Sequence, residues 1–199
     1  MDTIIACKYV GGVIIAADSS QARSIMIYKN DLDKIAHISD SIMMGSAGPN
    51  ADTVQFSEFV QRNVKLYELS NDGIPMSTKA CANFCRGELS KALRRGPFQT
   101  NVMLGGYDKK SNSESLYYID YMGTLQEVNF GVQGYASSFT LSIFDREWKE
   151  GMTEDEAYTV IRHCIEELQV RFLPTQDNFF IKKVDADGIG IISKGLLKE

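Results

Sequence analysis

Residues 3–18 of the chain read TIIACKYVGGVIIAAD, with an apolar run on each side of a glycine pair. The runs Thr3–Tyr9 and Val13–Ala17 have the length and composition of strands. The pair Gly11–Gly12 between them is typical of a tight turn, because glycine tolerates the backbone angles that short hairpin turns require. The stretch therefore predicts a β-hairpin that ends at a carboxylate, Asp18.

Residues 33–48 read DKIAHISDSIMMGSAG and repeat this pattern. The segments Lys34–Ile38 and Ile42–Gly45 are separated by the polar turn Ser39–Asp40–Ser41, which predicts a second strand pair. We read the residues between Asp18 and Lys34 as a polar link. The N-terminal quarter of the chain is therefore expected to consist of strands.

Four helices are predicted further along the chain, in two consecutive pairs. Apolar residues recur in these segments at helical spacing, and polar residues that can cap a helix precede three of them. The candidate N-caps are Asn50 or Asp52 for the first helix, Ser77 for the second and the Thr153–Glu156 capping box for the fourth, while the third spans Ala136–Trp148.

The remaining apolar segments predict strands between and after the two helix pairs. The order strands, two helices, strands, two helices, strands favours an α+β fold with antiparallel sheets. A four-layer αββα sandwich, with two antiparallel sheets between helix layers, would bury every apolar face. We expect residues 1–199 to form a single domain, because no segment has the composition of a linker. The later strands are predicted at Asn101–Tyr107, Leu116–Tyr121, Leu125–Val128, Phe179–Val184 and Ile189–Ser193.

Composition limits the partners of the chain. Its 199 residues are 44% hydrophobic and 24% charged, and the net charge is −5, which argues against nucleic acid as the main partner. Pairs such as Lys182–Lys183 are read as solvated surface. No apolar run approaches the roughly 20 residues of a membrane span, so no membrane partner is expected. The four cysteines lie in apolar segments without paired spacing and are predicted to be reduced core thiols.

Most familiar catalytic patterns are missing from the sequence. The two histidines, His37 and His163, lie in no recognisable nucleophile motif. Cys81 and Cys85 are one helical turn apart but lack the further ligands that a zinc site needs. The acidic turn at Asp185–Ala186–Asp187 lacks the rest of a calcium loop. We therefore expect no metal and no cofactor.

Asp18, Lys34 and Gly48 suggest a different chemistry. A nucleophile at the first residue of a chain needs a nearby cation, an acid to hold that cation and a backbone N–H to stabilise an oxyanion. Lys34, Asp18 and Gly48 could supply these three groups. The alternative interpretation is a partly buried ion pair with a turn glycine.

These segments, taken with others along the chain, resemble the β-type subunits of the eukaryotic 20S proteasome, which are N-terminal nucleophile hydrolases. The order and spacing of the segments carry the resemblance. They are Ala16–Ala17–Asp18, Asp33–Lys34–Ile35, Ser46–Ala47–Gly48 with Ala51–Asp52, Gly105–Gly106–Tyr107–Asp108, Tyr118–Ile119–Asp120, Gly134–Tyr135, Ile143–Phe144–Asp145 and Asp185–Ala186–Asp187–Gly188–Ile189.

The resemblance implies a fold, partners and a cellular location. The fold would be the αββα sandwich, and the partners would be other proteasome α and β subunits in stacked heteroheptameric rings, with no nucleic acid and no membrane. The function would be ubiquitin- and ATP-dependent protein degradation in the cytoplasm and nucleus.

The resemblance also places the nucleophile, and the chain departs from the family there. The position of the catalytic threonine falls on Asp2, which has no hydroxyl. Thr3 is one residue out of register, so its side chain would point to the opposite face of the strand. Only Met1 precedes Asp2, so no propeptide is expected. A supporting serine is replaced near Gly134–Tyr135, and an Asp-x-x-Ser element is absent from residues 171–175.

The sequence therefore predicts a non-catalytic β subunit with a vestigial site made of Asp2, Asp18, Lys34 and Gly48. One alternative is an active threonine peptidase that is trimmed to expose Thr3. Another is a stand-alone hydrolase of the same fold with a different substrate.

Overall fold

The computed structural model describes residues 2–23, 26–171 and 178–196. In these residues the predicted order of strands and helices is confirmed. The helices are α1 (Asn50–Ser70), α2 (Thr78–Ala92), α3 (Ser137–Glu147) and α4 (Glu154–Arg171). The strands are β1 (Ile4–Tyr9), β2 (Gly12–Asp18), β3 (Gln21–Arg23), β4 (Met26–Lys29), β5 (Ile35–Ser39), β6 (Ile42–Ala47), β7 (Asn101–Asp108), β8 (Ser113–Ile119), β9 (Leu125–Glu127), β10 (Phe130–Gln133), β11 (Asn178–Asp185) and β12 (Gly188–Leu196).

Two five-stranded antiparallel sheets form the centre of the molecule. The first has the order β10-β1-β2-β11-β12 and the second the order β5-β6-β7-β8-β9. The predicted N-terminal hairpin is present: Tyr9 pairs with Gly12 across a two-residue turn, in which Gly11 adopts a φ of 90°. Strands β3 and β4 form a separate two-stranded ribbon, so the prediction of a plain polar link between Asp18 and Lys34 was wrong.

Three clusters of buried side chains separate four layers of secondary structure. One cluster packs α3 and α4 against the first sheet, and another packs α1 and α2 against the second. The third, which includes Ile4, Ile15, Met43 and Met103, fills the space between the two sheets. The fold is therefore the predicted α+β sandwich with the layer order αββα.

The alternation of side chains along β1 places the residues at the start of the chain. Ile4 and Ala6 belong to the cluster between the sheets, whereas Ile5 and Cys7 belong to the cluster beneath α3 and α4. Because successive side chains of a strand point to opposite faces, residue 2 faces the space between the sheets. Residue 3 faces the helix layer.

Two of the predicted helix caps are confirmed. Ser77 caps α2 by accepting a hydrogen bond from the Ala80 N–H. At the start of α4, the Glu156 carboxylate accepts from the Thr153 N–H at 2.7 Å and completes the capping box.

The cap predicted for α1 was wrong. Its N-cap is Pro49, which makes no side-chain capping bond, and Asn50 is already helical. Strand β6 ends at Ala47, so only Gly48 and Pro49 connect it to the helix. The Asp52 carboxylate instead accepts a hydrogen bond from the Gln99 N–H.

The core thiol prediction is confirmed for all four cysteines, Cys7, Cys81, Cys85 and Cys164, which are free and buried. Burial raises the pKa of the Cys164 thiol to about 12. The thiol is therefore neutral at physiological pH and acts as an apolar side chain.

The helix layer over the first sheet depends on Phe144. Its ring is fully buried and stacks on Phe130, with ring centroids 5.0 Å apart. We expect Phe144→Ala to lower the free energy of unfolding by about 3–5 kcal/mol, because it leaves a cavity in a packed layer. Val170→Ala, at an exposed position of α4, is the control and should change it by less than about 0.5 kcal/mol. Urea unfolding of the full chain measures both, and equal effects would contradict this account of the core.

Candidate functional site

The candidate site is centred on the ammonium group of Lys34, which lies directly before β5. The Lys34 Nζ donates to Asp2 Oδ1 at 2.7 Å, to the Asp18 carboxylate at 2.9 Å and to the Ser20 carbonyl oxygen at 2.8 Å. Its side chain is only 7% exposed. A lysine ammonium has three N–H donors, and these acceptors can satisfy all of them. Lys34 therefore joins Asp2, which precedes β1, to the end of β2 and to the residue before β3.

The second oxygen of Asp2 binds a backbone group. Asp2 Oδ2 accepts a hydrogen bond from the Gly48 N–H at 2.9 Å. Gly48 follows β6 with a φ of +149°, and a Cβ atom at this position would overlap the Gln99 carbonyl oxygen. Glycine is therefore required for this approach. The Asp2 carboxylate bridges a buried cation and a backbone donor.

Asp18 is the fully buried carboxylate of the site. Besides Lys34, it accepts hydrogen bonds from the backbone N–H of Thr3 at 2.7 Å and from that of Ser20 at 3.2 Å. Burial raises the pKa of Asp18, while the charge of Lys34 and the Thr3 N–H oppose this shift. The lysine is thus the main group that favours the ionised carboxylate in this buried position.

The structure brings Asp2, Asp18, Lys34 and Gly48 together and excludes the side chain of Thr3 from the group. Thr3 is 1% exposed, and it shares the face of β1 that carries Ile5 towards the helix layer. Its backbone N–H donates to Asp18, and the alternation of side chains along β1 directs its side chain to the face opposite that of Asp2.

The later elements implied by the resemblance can be placed only in part. Gly134 has a φ of +88° and lies so close to the main chain of Asp2 that a Cβ atom would overlap the Asp2 carbonyl oxygen. Tyr135 is exposed beside it. Arg171 ends α4, and residues 172–177, which contain most of the segment expected to lack an Asp-x-x-Ser element, lie outside the described residues.

A cleft of about 670 Å³ opens above these groups. Asp2, Lys34 and Gly48 lie in its wall, together with residues of the β3–β4 ribbon and the first turns of α1. Two hydroxyls in this wall interact locally: the Ser57 hydroxyl donates to the Thr53 carbonyl oxygen and lies 3.3 Å from the hydroxyl of Ser46. In the cleft wall, the Lys34 ammonium and the Gly48 N–H therefore already donate to the Asp2 carboxylate.

Sequence reasoning missed a second buried cation next to the site. Lys182 is 3% exposed, so its assignment to the solvated surface was wrong. Its Nζ lies 2.6 Å from Asp33 Oδ2 and donates to the Ile35 carbonyl oxygen at 2.7 Å. These bonds fix the backbone on both sides of Lys34. The signal in the sequence was the alternation along β11, which turns Lys182 inward and Lys183 outward to Glu154.

Neither histidine lines the cleft. The ring of His37 lies 3.1 Å from the Lys182 Nζ, and His163 bonds to Glu147 at 2.7 Å. Burial and the nearby Lys182 charge lower the pKa of His37. Within residues 2–23, 26–171 and 178–196, no cluster of His, Cys, Asp and Glu could hold a metal ion. The helices in these ranges include none that is long and apolar enough to cross a membrane.

A four-layer αββα sandwich whose first strand begins beside a lysine and a glycine N–H is the architecture of the N-terminal nucleophile hydrolases. The family model described as "Proteasome subunit" matches residues 1–184. The chain therefore belongs to the proteasome subunit family, and the relatives that follow place it among the β-type members.

Curated relatives match the chain along almost its whole length. Proteasome subunit beta type-2-B of Arabidopsis thaliana is 46% identical over 188 residues, which cover 94% of each chain. Proteasome subunit beta type-2 of Dictyostelium discoideum is 43% identical over 194 residues, or 96% of this chain and 97% of the relative. Proteasome subunit beta type-4 of Saccharomyces cerevisiae is 38% identical over 190 residues, or 95% and 96%.

The charge balance around Lys34 can be tested by removing the cation. Lys34→Met leaves Asp18 buried without its partner, so the free energy of unfolding should fall by about 3–5 kcal/mol at pH 7. The folded-state pKa of Asp18 then lies further above its ordinary value of 3.8. The folded variant binds a proton that the unfolded chain does not, so its deficit relative to wild type should shrink as the pH falls towards 4.

Urea unfolding of wild type and variant between pH 7 and 4 measures this difference. Lys29→Met is the matched control, because Lys29 forms an exposed pair with Asp31 at 3.6 Å. Its effect should stay within about 0.5 kcal/mol at every pH. A Lys34→Met deficit that does not change with pH would contradict the assignment of Asp18 as the charge left unpaired.

Proposed function

We propose that this chain is a non-catalytic structural β subunit of the 20S proteasome core particle. In this role it occupies one position in stacked heteroheptameric rings of α and β subunits. It forms part of the wall of the proteolytic chamber used for ubiquitin- and ATP-dependent protein degradation, in the cytoplasm and nucleus. Its companions supply the peptidase activity.

One observation carries the proposal: the residue that faces Lys34 and the Gly48 N–H is Asp2. In an N-terminal nucleophile site, the lysine favours loss of a proton from a hydroxyl or thiol, and the resulting anion attacks the substrate carbonyl. The Asp2 carboxylate has no hydroxyl, and both of its oxygens accept hydrogen bonds. Removal of the nucleophile removes the covalent route, and the remaining dipoles do not replace it.

The position of Thr3 also supports a non-catalytic role. Trimming of the chain to Thr3 would provide a hydroxyl, but the Thr3 side chain is buried on the face of β1 opposite to Lys34. To bring that hydroxyl to the lysine, β1 would have to shift by one residue. Such a shift would turn the side chains of Ile5 and Cys7 from the cluster beneath α3 and α4 to the space between the sheets.

Assembly with other subunits is supported by exposed apolar side chains. The β3–β4 ribbon carries Met26, Ile27 and Tyr28 on its surface, and the last turns of α1 carry Leu66 and Leu69. Contiguous exposed apolar surface is typical of protein contacts. A chain with two such regions fits a position between neighbours in a large assembly.

The proposal is tested by labelling particles purified through a tag on this chain. A peptide epoxyketone reacts with the amine and hydroxyl of a terminal threonine, so it should add its mass to companion β subunits and not to this chain. The labelled companions in the same sample are the positive control. Covalent label on this chain, measured by intact-mass spectrometry, would overturn the proposal.

The same sample tests trimming. Mass spectrometry of the N-terminal peptide should find Asp2 intact, because the Asp2 carboxylate is bound in the site. An N-terminal peptide that begins at Thr3 would favour the active peptidase instead.

A further inference from the structure

The two oxygens of the Asp2 carboxylate occupy two different positions in the site. Oδ1 lies 2.7 Å from the Lys34 ammonium, where the oxygen of an activated nucleophile would lie. Oδ2 lies 2.9 Å from the Gly48 N–H, where the oxyanion of a reacting carbonyl would be stabilised. One side chain thus fills both positions.

We propose that Lys34 and the Gly48 N–H form an anion-binding site, and that Asp2 is its built-in ligand. If the Asp2 carboxylate is removed, the same site should accept a small free monocarboxylate such as formate. This inference rests on the proposed function, because it requires Asp2 to be present in the mature chain.

A negatively charged acceptor suits these donors because one of them is a mostly buried ammonium group. Lys34 is 7% exposed, and Asp18 and the Ser20 carbonyl oxygen accept from the rest of its ammonium group. Loss of the Asp2 carboxylate would leave one Nζ–H of Lys34 and the Gly48 N–H without an acceptor. Partly buried donors without partners raise the free energy of the folded state, so an anion that supplies two oxygens should bind.

The geometry of the site suits a small carboxylate. Formate carries two oxygens on one carbon, with the same spacing as the oxygens of Asp2. The Asp2 side chain is 21% exposed and lies in the wall of the cleft, so solutes can reach the position that it fills.

An ordinary surface ion pair provides the contrast. The side chain of Lys29 is about half exposed and that of Asp31 is largely exposed, and the two lie 3.6 Å apart, so water can replace the carboxylate at little cost. Removal of Asp31 should therefore create no site for formate.

The experiment compares the thermal unfolding of full-length Asp2→Ala, Asp31→Ala and wild type in sodium formate and in sodium chloride, at equal ionic strength and pH 7. Fluorescence of Trp148, the only tryptophan in the chain, reports unfolding. At a formate concentration about ten times its Kd, the Tm of Asp2→Ala should rise by roughly 3 °C relative to chloride. General salt effects should appear equally in all three proteins. An Asp2→Ala shift no larger than that of wild type would overturn the inference.

Two further variants identify the site. Asp2→Ala combined with Lys34→Met should lose the formate shift. Asp2→Asn keeps the size of the side chain and an oxygen for the Gly48 N–H, so it should also show none. A formate shift in Asp2→Asn as large as that in Asp2→Ala would overturn the inference. If Asp2→Ala does not stay folded in chloride, its refolding yield should be higher in formate, and equal yields would also overturn it.

The outcome is separable from a failure of the proposed function. Epoxyketone labelling is measured on the wild-type chain and reports whether residue 2 or 3 acts as a nucleophile. The formate shift is measured on a variant and reports only whether Lys34 and Gly48 bind an anion. An unlabelled wild-type chain without the formate shift in Asp2→Ala would therefore overturn this inference and leave the structural role in place.

Discussion

A buried ammonium group needs negative partners, and the region around Lys34 is built to supply them. Asp2 directly precedes Thr3 and β1, Asp18 ends β2, and the Ser20 carbonyl belongs to the link between β2 and β3. Lys34 itself precedes β5 in the other sheet. One charged group therefore joins the two halves of the sandwich at the mouth of the cleft. The cost of burying each charge makes the contact specific, because any shift of β1 or β5 would leave a charge unpaired.

A second buried lysine reinforces the same junction. Lys182 reaches from β11 in the first sheet to Asp33 and to the Ile35 carbonyl in the second. Because Asp33 and Ile35 flank Lys34, the backbone of Lys34 is held from both sides. Most side chains in the space between the sheets are apolar, and their contacts are not directional. The two lysines supply the directional contacts that align the sheets at this edge.

The proposed function depends on which group accepts hydrogen bonds from the Lys34 ammonium and the Gly48 N–H. Lys34, Asp18 and the Gly48 N–H form the surroundings that a terminal nucleophile requires, and in this chain a carboxylate fills them. The same contacts that would activate a hydroxyl here hold β1 in place. Under the proposed function, a site of this kind contributes to stability and strand register, and the chain supplies shape and contact surfaces to an assembly.

Local and periodic features of the sequence predicted most of the fold. The hairpin turn at Val10–Gly11, the Ser77 cap and the Thr153–Glu156 capping box depend on neighbouring residues, and alternation along β1 placed Asp2 and Thr3 on opposite faces. The sequence alone thus determined the layer order and the absence of a hydroxyl at position 2. Tertiary structure decided the burial of Lys182, the ribbon after Asp18, the Pro49 N-cap of α1 and the bond from Gly48 to Asp2. Most of these features depend on residues far apart in the chain, and the sheets must pack before their charges and donors can meet.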